Sequence, residues 1–278
     1  MHANEIVPMG DREFRAFREL VYSEAGIRLS EEKRALLTAR LSRRVRTLGM
    51  VRFGDYLALV EHEPAERMEM LDRILTNETR FFREPHQFSF LETEILPRWR
   101  AEADERARPR RVRVWSAGCS TGQEPYSIAM TLLAHLGGWE IEVVATDLSG
   151  RALRQAMTGV WPLEKAAEIP HAYRTAYMRR GVRSQAGRMS AGSELRAILR
   201  FQRLNLNGEL PELGLFDLVF CRNVLIYFDP ASRAQAMRRV LSRLSPRGYL
   251  FVGHAESLLG SNLRLRAMAP SVYTRMER

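Results

Sequence analysis

RVRVWSAGCSTGQEPYSIAM, residues Arg111 to Met130, changes character twice within its length. It opens on an apolar run through Val112, Val114 and Trp115, passes a turn bracketed by Gly118 and Gly122, and continues with helix-like spacing after Glu124. Strand, glycine turn and helix in that order open an α/β unit. Glycines lack Cβ atoms, so the backbone at such a turn can come close to a ligand. An acid at the start of the following helix is the feature that decides which ligand.

Working outward, strand candidates alternate with helix-length segments. The strands are residues 112–117, 141–147, 198–205, 216–223 and 248–256, and the helices are 124–136, 150–158 and 231–244. The apolar runs are continuous rather than alternating, as in a parallel sheet covered on both faces. The last segment, LRLRAMAPSVYTRM, predicts a terminal hairpin around Pro270. Residues 162–196 fit neither period and form an excursion containing Gly181, Gly187 and Gly192. Residues 101–111 are a charged, proline-containing connector.

The first 75 or so residues are helical in pattern, with no strand-like alternation. Ser30 opens a capping pattern with Lys33 where Glu would be ideal, and Gly49 is placed to end the helix. Leu37, Leu41, Val45 and Leu48 make its apolar stripe, and Arg40, Arg43 and Arg46 fall toward solvent. Two further helices are predicted near Phe53–His62 and Pro64–Leu75. The arginine face is either a solvated surface or a docking face for an acidic helix.

Composition sets the outer limits. With 278 residues, 45% hydrophobic and 27% charged, the chain is an ordinary globular protein of one large domain, or of a moderate domain and a small one. It holds no apolar run of about 18 residues and no secretory leader pattern, so no membrane insertion and a cytoplasmic location are expected. Cys119 and Cys221 lack metal-ligand spacing, and neither a disulfide framework nor a metal site is expected. The net charge is +10, carried almost wholly by arginine, since Lys33 and Lys165 are the only lysines. Such a charge attracts an acidic partner without choosing among nucleic acid, lipid and protein.

The glycine turn is neither GxxxxGK[ST] nor GxGxxG, which removes a triphosphate cradle and weakens a dinucleotide site. Glu124 stands at the helix start and Asp147 ends the next strand. An acid at that strand end suits two ribose hydroxyls, and a second acid attracts an ammonium or sulfonium group while repelling pyrophosphate. A turn cap accounts for Asp147 alone, and a helix N-terminal acid for Glu124 alone. Together they favour S-adenosylmethionine.

Four blocks then carry a resemblance: TNETRFFREPHQF (76–88), VWSAGCSTGQEPYSIAM (114–130), FDLVFCRNVLIYFD (216–229) and GYLFVGHAESL (248–258). In this order, over nearly the whole chain, they resemble the chemotaxis receptor methyltransferase (CheR-type) family, which methylates receptor glutamates. The resemblance implies a doubly wound, Rossmann-like α/β methyltransferase domain at 112–278, joined by a linker at 86–111 to a small helical docking domain at 1–85. It also implies an antiparallel β-subdomain inserted at about 176–200. It implies that Asn77, Thr79 and Arg83 close over the donor, with Gly118 beside it. Glu124 holds the methionine ammonium and Asp147 the ribose. Asn205 and Leu206 flank the adenine, and Arg222 and Asn223 line the methyl end, with Tyr227 near the transferred methyl. S-adenosylhomocysteine is the product.

A glutamate acceptor is ionised at neutral pH and needs no general base, so positioning is the main task. Arg83 and Arg222 are the expected partners of the incoming carboxylate, because guanidinium forks bind carboxylates and stay charged. His254 is expected to be a satisfied strand-end histidine. The acidic helices of chemoreceptors would dock on Arg40, Arg43 and Arg46, and a monomer is expected. Two competing readings are a nucleic-acid methyltransferase and a non-catalytic module gated by donor binding. RNVLIYF stands where the first would carry an Asn/Asp-Pro-Pro-aromatic motif, and aromatics do not interleave the arginines, so no nucleic-acid partner is expected. The full set of site residues opposes the second.

Overall fold

The computed structural model describes residues 6–258 and 263–276. The chain divides into two compact units, Met1–Thr76 with Tyr227–Gln235, and Asn77–Ile226 with Ala236–Arg278.

The first unit is built from α1 (Asp11–Ala25), α2 (Arg34–Thr47), α3 (Phe53–His62) and α4 (Pro64–Ile74). Each buries an apolar stripe at helical spacing: Phe14, Phe17 and Val21 from α1, Leu37, Leu41 and Val45 from α2, Tyr56 and Val60 from α3, and Met70 and Ile74 from α4. The predicted stop at Gly49 holds, with φ of +71° and a Met50 N–H bond to the Val45 carbonyl at 3.0 Å. The predicted cap at Ser30 does not. Ser30 precedes a 3-10 turn, Glu31–Lys33, its side chain makes no capping bond, and α2 starts four residues after it. Without Glu at the third position the reciprocal half of a capping box is missing.

Arg40 also departs from expectation. It is half-buried and donates to the Ile74 carbonyl and, at 3.0 Å, to Thr76 Oγ1, satisfying orphan groups at the end of α4. Arg43 and Arg46 are exposed as predicted. Arg44, on the buried side, forks onto Glu66 at 2.9 and 2.6 Å, and Tyr56 donates to the same carboxylate at 3.0 Å. The Arg44 bond holds the Glu66 carboxyl below its ordinary range.

The second unit starts with α5 (Pro85–Phe90), which passes through one π turn (Leu91–Ile95) into α6 (Leu96–Asp104). There follow β1 (Arg111–Ala117), α7 (Gln123–His135), β2 (Glu140–Asp147) and α8 (Gly150–Thr158). The predicted excursion becomes β3 (Val160–Pro162), α9 (His171–Tyr177), β4 (Met178–Arg180) and β5 (Arg188–Ala191). These strands form a separate antiparallel sheet in the order β3-β5-β4. After α10 (Ser193–Ile198) come β6 (Leu199–Arg203), β7 (Phe216–Cys221), α11 (Pro230–Ser242), β8 (Leu244–Val252), β9 (Leu265–Ala269) and β10 (Val272–Arg275).

The main sheet has the order β6-β2-β1-β7-β8-β10-β9. Its first five strands are parallel, and the predicted hairpin β9–β10 adds antiparallel to β8. The chain winds from β1 outward through β2 to β6, then crosses to β7 and winds the other way. The crevice at that reversal, between the carboxyl ends of β1 and β7, is where open α/β sheets bind ligands. β1 and β7 bury nearly every side chain, including Trp115, whose indole N–H bonds Thr146 Oγ1 at 2.9 Å. Phe220 and Phe251 stack across β7 and β8 at 4.4 Å.

Three strands end earlier than their sequence pattern predicts, β6 at Arg203 among them. β7 stops at Cys221, and Asn223 takes φ of +58°, outside any strand. β8 stops at Val252, so Gly253–Glu256 form a turn instead of a strand end. One side chain, Glu256, imposes the endings of β7 and β8.

Candidate active site

The turn after β1 has two reasons to be glycine at position 118. Its φ is +91°, and a Cβ there would lie 2.2 Å from Val224 Cγ2, in the loop after β7. The turns after β1 and β7 therefore approach each other at the switch point. Gly118 and Cys119 both donate to the Thr146 carbonyl, at 2.8 and 2.9 Å, which ties the turn to the end of β2.

Asp147 ends β2 and organises the same turn. One carboxylate oxygen accepts the Ser120 N–H at 2.7 Å and the other the Ser149 N–H at 2.8 Å. Ser149 then caps α8 by accepting from Ala152 N–H at 3.1 Å. Leu204 N–H bonds the Asp147 carbonyl at 3.0 Å, which brings Asn205 and Leu206, just past β6, to the same end of the sheet.

Glu124 sits in the first turn of α7, where a helix N-terminus favours a carboxylate. Its side chain is 11% exposed, accepts from Ser116 Oγ at 2.7 Å and lies 3.3 Å from Arg222 Nη1. Burial pushes the Glu124 carboxyl above its ordinary value. Arg222 and the Ser116 bond oppose that rise, and nearby Glu84 adds to it.

Arg222 is the centre of this network. Its side chain is 1% exposed and lies 3.5 Å from Glu84 Oε2, besides meeting Glu124 and donating to the Arg83 carbonyl. Its Nε and Nη1 have no hydrogen-bond acceptor, and neither does Glu84 Oε2 have a donor. Buried polar atoms are ordinarily hydrogen-bonded, so this cluster is incompletely satisfied as it stands.

The segment Asn77–Phe88 packs along the same turns. The Asn77 carbonyl accepts from Ser120 Oγ at 3.0 Å, Phe82 N–H donates to Ser127 Oγ at 3.0 Å, and Gln87 Nε2 donates to the Val252 carbonyl at 2.8 Å. Phe82 and Glu84 both have positive φ, 48° and 59°, so Arg83 is held between two left-handed residues. Such conformations cost on the order of 1–3 kcal/mol each and concentrate at working sites. Arg83 is half-buried, and its charge pulls the Glu124 carboxyl down. Thr79 is half-buried in the same segment.

Among the predicted residues, Asn77, Arg83, Gly118, Glu124, Asp147, Asn205, Leu206, Arg222 and Asn223 belong to the carboxyl-end turns of the sheet or to the segment bonded to them. Tyr227 does not cluster with this unit. It ends a 3-10 turn, is 39% exposed, and accepts the Arg28 N–H at 3.3 Å within the first unit. His254 is exposed two residues beyond β8. Its N–H donates to Glu84 Oε1 at 3.2 Å, and its ring has no partner among the described residues, contrary to expectation. Burial pushes the thiols of Cys119 and Cys221 well up, as befits packed rather than reactive cysteines.

Two residues of this network escaped the sequence reading. Glu84 lies inside a quoted block, and only the fold shows that it meets Arg222. Glu256 is 1% exposed, and its carboxylate accepts three main-chain N–H groups: Asn223 at 2.6 Å, Gly253 at 2.8 Å and Ile226 at 3.1 Å. A glutamate three residues after a glycine at the end of an apolar run was the available signal.

Among the described residues no helix is long and apolar enough to cross a membrane, and no group of three or more His, Cys, Asp or Glu is placed to hold a metal. Residues 77–274 match the family described as CheR methyltransferase, SAM binding domain, and residues 12–75 match CheR methyltransferase, all-alpha domain. The chain is 40% identical to a chemotaxis protein methyltransferase of Klebsiella aerogenes, over 90% of this chain and 85% of that one. It is 36% identical to the chemotaxis protein methyltransferase of Escherichia coli, over 98% and 94%. It is also 36% identical to chemotaxis protein methyltransferase 2 of Pseudomonas aeruginosa, over 94% and 92%.

Proposed function

The chain belongs to the CheR methyltransferase family, and from that premise we propose how its residues divide the work. It is an S-adenosylmethionine-dependent methyltransferase that forms glutamate methyl esters on chemoreceptors. The residues fit the donor. Carboxylates stand at the end of β2 and in the first turn of α7, and Arg222 and Glu84 keep buried polar atoms without hydrogen-bond partners. When bound, S-adenosylmethionine supplies an electrophilic methyl group on a sulfonium.

The observation that carries the assignment is the pair Glu124 and Asp147, on the two sides of the Gly118 turn. Asp147 accepts the ribose hydroxyls with the oxygens that already hold the Ser120 and Ser149 N–H groups, since each oxygen has a second lone pair. Glu124 holds the ammonium, and the Arg222 guanidinium opposes the rise that burial imposes on the Glu124 carboxyl. Asn77 and Thr79 close over the donor, while Asn205 and Leu206 flank its adenine. Arg83, the less buried arginine, meets the incoming carboxylate. The acceptor needs no base, so these residues work by alignment.

Two variants test this. Asp147→Asn and Glu124→Gln should each weaken S-adenosylhomocysteine binding roughly 10–100-fold, the worth of a charge-assisted bond, as measured by calorimetry. Binding by the parent chain should also fall on acidification, because a carboxyl raised by burial takes up its proton above the ordinary glutamate range. Unchanged affinity in both variants would remove the assignment.

The receptor partner is an acidic cytoplasmic helix, and the helical unit is its docking site. Since Arg40 caps α4, Arg43 and Arg46 are the clean probes of that role. Arg43→Glu with Arg46→Glu should lower kcat/KM on a receptor fragment roughly tenfold at low salt, with donor affinity unchanged. Methylation at the parent rate would refute the docking face.

A further inference from the structure

A second concave site lies at the other end of the main sheet. The strands of the parallel set all run the same way, so Pro246–Tyr249, near the start of β8, and Arg108, before β1, lie at the amino ends, opposite the donor crevice. A cavity of about 350 Å³ opens there, within the range of roughly 300–1,000 Å³ usual for small-molecule sites. Five guanidinium groups line it, from Arg98, Arg108, Arg247, Arg266 and Arg275, against a single lining carboxylate, Glu102.

The local structure leaves that charge uncompensated. Arg98 pairs with Glu102 at 2.9 Å, and Arg108 pairs with Asp217 at 2.8 Å while covering the Trp99 ring at 4.1 Å. Arg275 donates to the Leu241 carbonyl, which carries no formal charge. Arg247 and Arg266 are exposed and have no carboxylate partner among the described residues. Among the described residues, two carboxylates thus face five cations. The Arg108 Nε–H is buried without an acceptor, an orphan donor at this wall. A chain of net charge +10 has basic surface elsewhere too, but a concave wall concentrates the field of these five guanidinium groups.

We propose that this cavity binds a small phosphate-bearing ligand, whose phosphate oxygens are held by Arg247, Arg266 and Arg98. Guanidinium forks match phosphate geometry and stay charged at all working pH values. The Met268 side of the cavity offers an apolar wall to an organic group on that ligand. None of these five arginines is among the residues of the donor crevice.

The test is calorimetry on the full chain saturated with S-adenosylhomocysteine, so that the donor crevice is filled before ADP or inorganic pyrophosphate is added. Both should bind below about 1 mM in low salt and weaken as salt rises. Arg247→Glu with Arg266→Glu should weaken both at least roughly tenfold, and S-adenosylhomocysteine affinity should stay at the parent value. Arg12→Glu with Arg180→Glu changes net charge equally at exposed arginines elsewhere, and should leave phosphate binding intact. The proposal is overturned if neither probe binds, if both double variants weaken binding alike, or if sulfate binds as tightly as pyrophosphate, which would mean an adventitious ion only.

Discussion

Arg222→Met should lower the stability of the chain by about 3–5 kcal/mol, the usual result of removing one partner from a buried ion pair, and should abolish methyl transfer. The side chain is 1% exposed and faces two carboxylates, Glu84 and Glu124. Removing it leaves two like charges in a low-dielectric pocket, the costliest arrangement available there. The sign of the pH dependence follows. Glu124 is already raised by burial, and Arg222 is the largest influence opposing that rise. Without Arg222 the folded-state value climbs further above the unfolded one. A raised carboxyl destabilises the fold at high pH, and that penalty disappears once the group is protonated in both states. The deficit of Arg222→Met should therefore be largest at neutral pH and shrink on acidification toward the ordinary carboxylate range. Arg222→Lys keeps one charge but loses the fork, and should retain most of the stability with little activity. Denaturant unfolding at several pH values reads this. A deficit under about 1 kcal/mol, or one flat with pH, would mean that the guanidinium is not what holds these carboxylates together.

Glu256→Ala should cost nearly as much, by a different route. Its carboxylate serves Asn223, Ile226 and Gly253 N–H groups, and each buried donor left unpaired costs roughly 1–3 kcal/mol. Glu256→Gln separates stability from function. An amide oxygen can keep the bonds to Asn223 and Gly253, while its NH₂ group faces the Ile226 N–H and repels it. The loop from Arg222 to Ile226, strained at Asn223, would then shift by a fraction of an ångström to an ångström. Displacements of that size cost about 100-fold in aligned reactions. The expected result is kcat lowered roughly 10–100-fold, a small change in melting temperature, and receptor KM near the parent value. A KM rise with unchanged kcat would place Glu256 in binding and remove it as the support of this loop.

Much of this protein is legible in its sequence. Trp115 and its apolar neighbours announced a buried strand, Gly118 a bare turn and Glu124 a helix start, because each depends on residues within a few positions. The same local logic gave the terminal hairpin and the helical first unit. It failed where a side chain from elsewhere intervened. Arg40 looked solvent-facing by its helical angle, yet it caps the end of α4, 34 residues on. The strand patterns run on past Cys221 and Val252 to residues 223 and 256, yet Glu256 ends both strands with bonds spanning 33 and 3 residues.

Apolar runs, helical period and glycine placement thus determined the fold class, the order of elements and the two acids flanking the Gly118 turn, since these are properties of short neighbourhoods. Tertiary structure alone decided that Arg222 would meet Glu84 and Glu124, that Glu256 would hold the loop after β7, and that five arginines would converge at the opposite end of the sheet. The physical reason is range. Propensity and periodicity act over a turn or a strand, whereas a buried charge is neutralised by whatever the strand order brings beside it. Here that order sets β1 beside β7, and sets groups up to 170 residues apart within hydrogen-bonding reach.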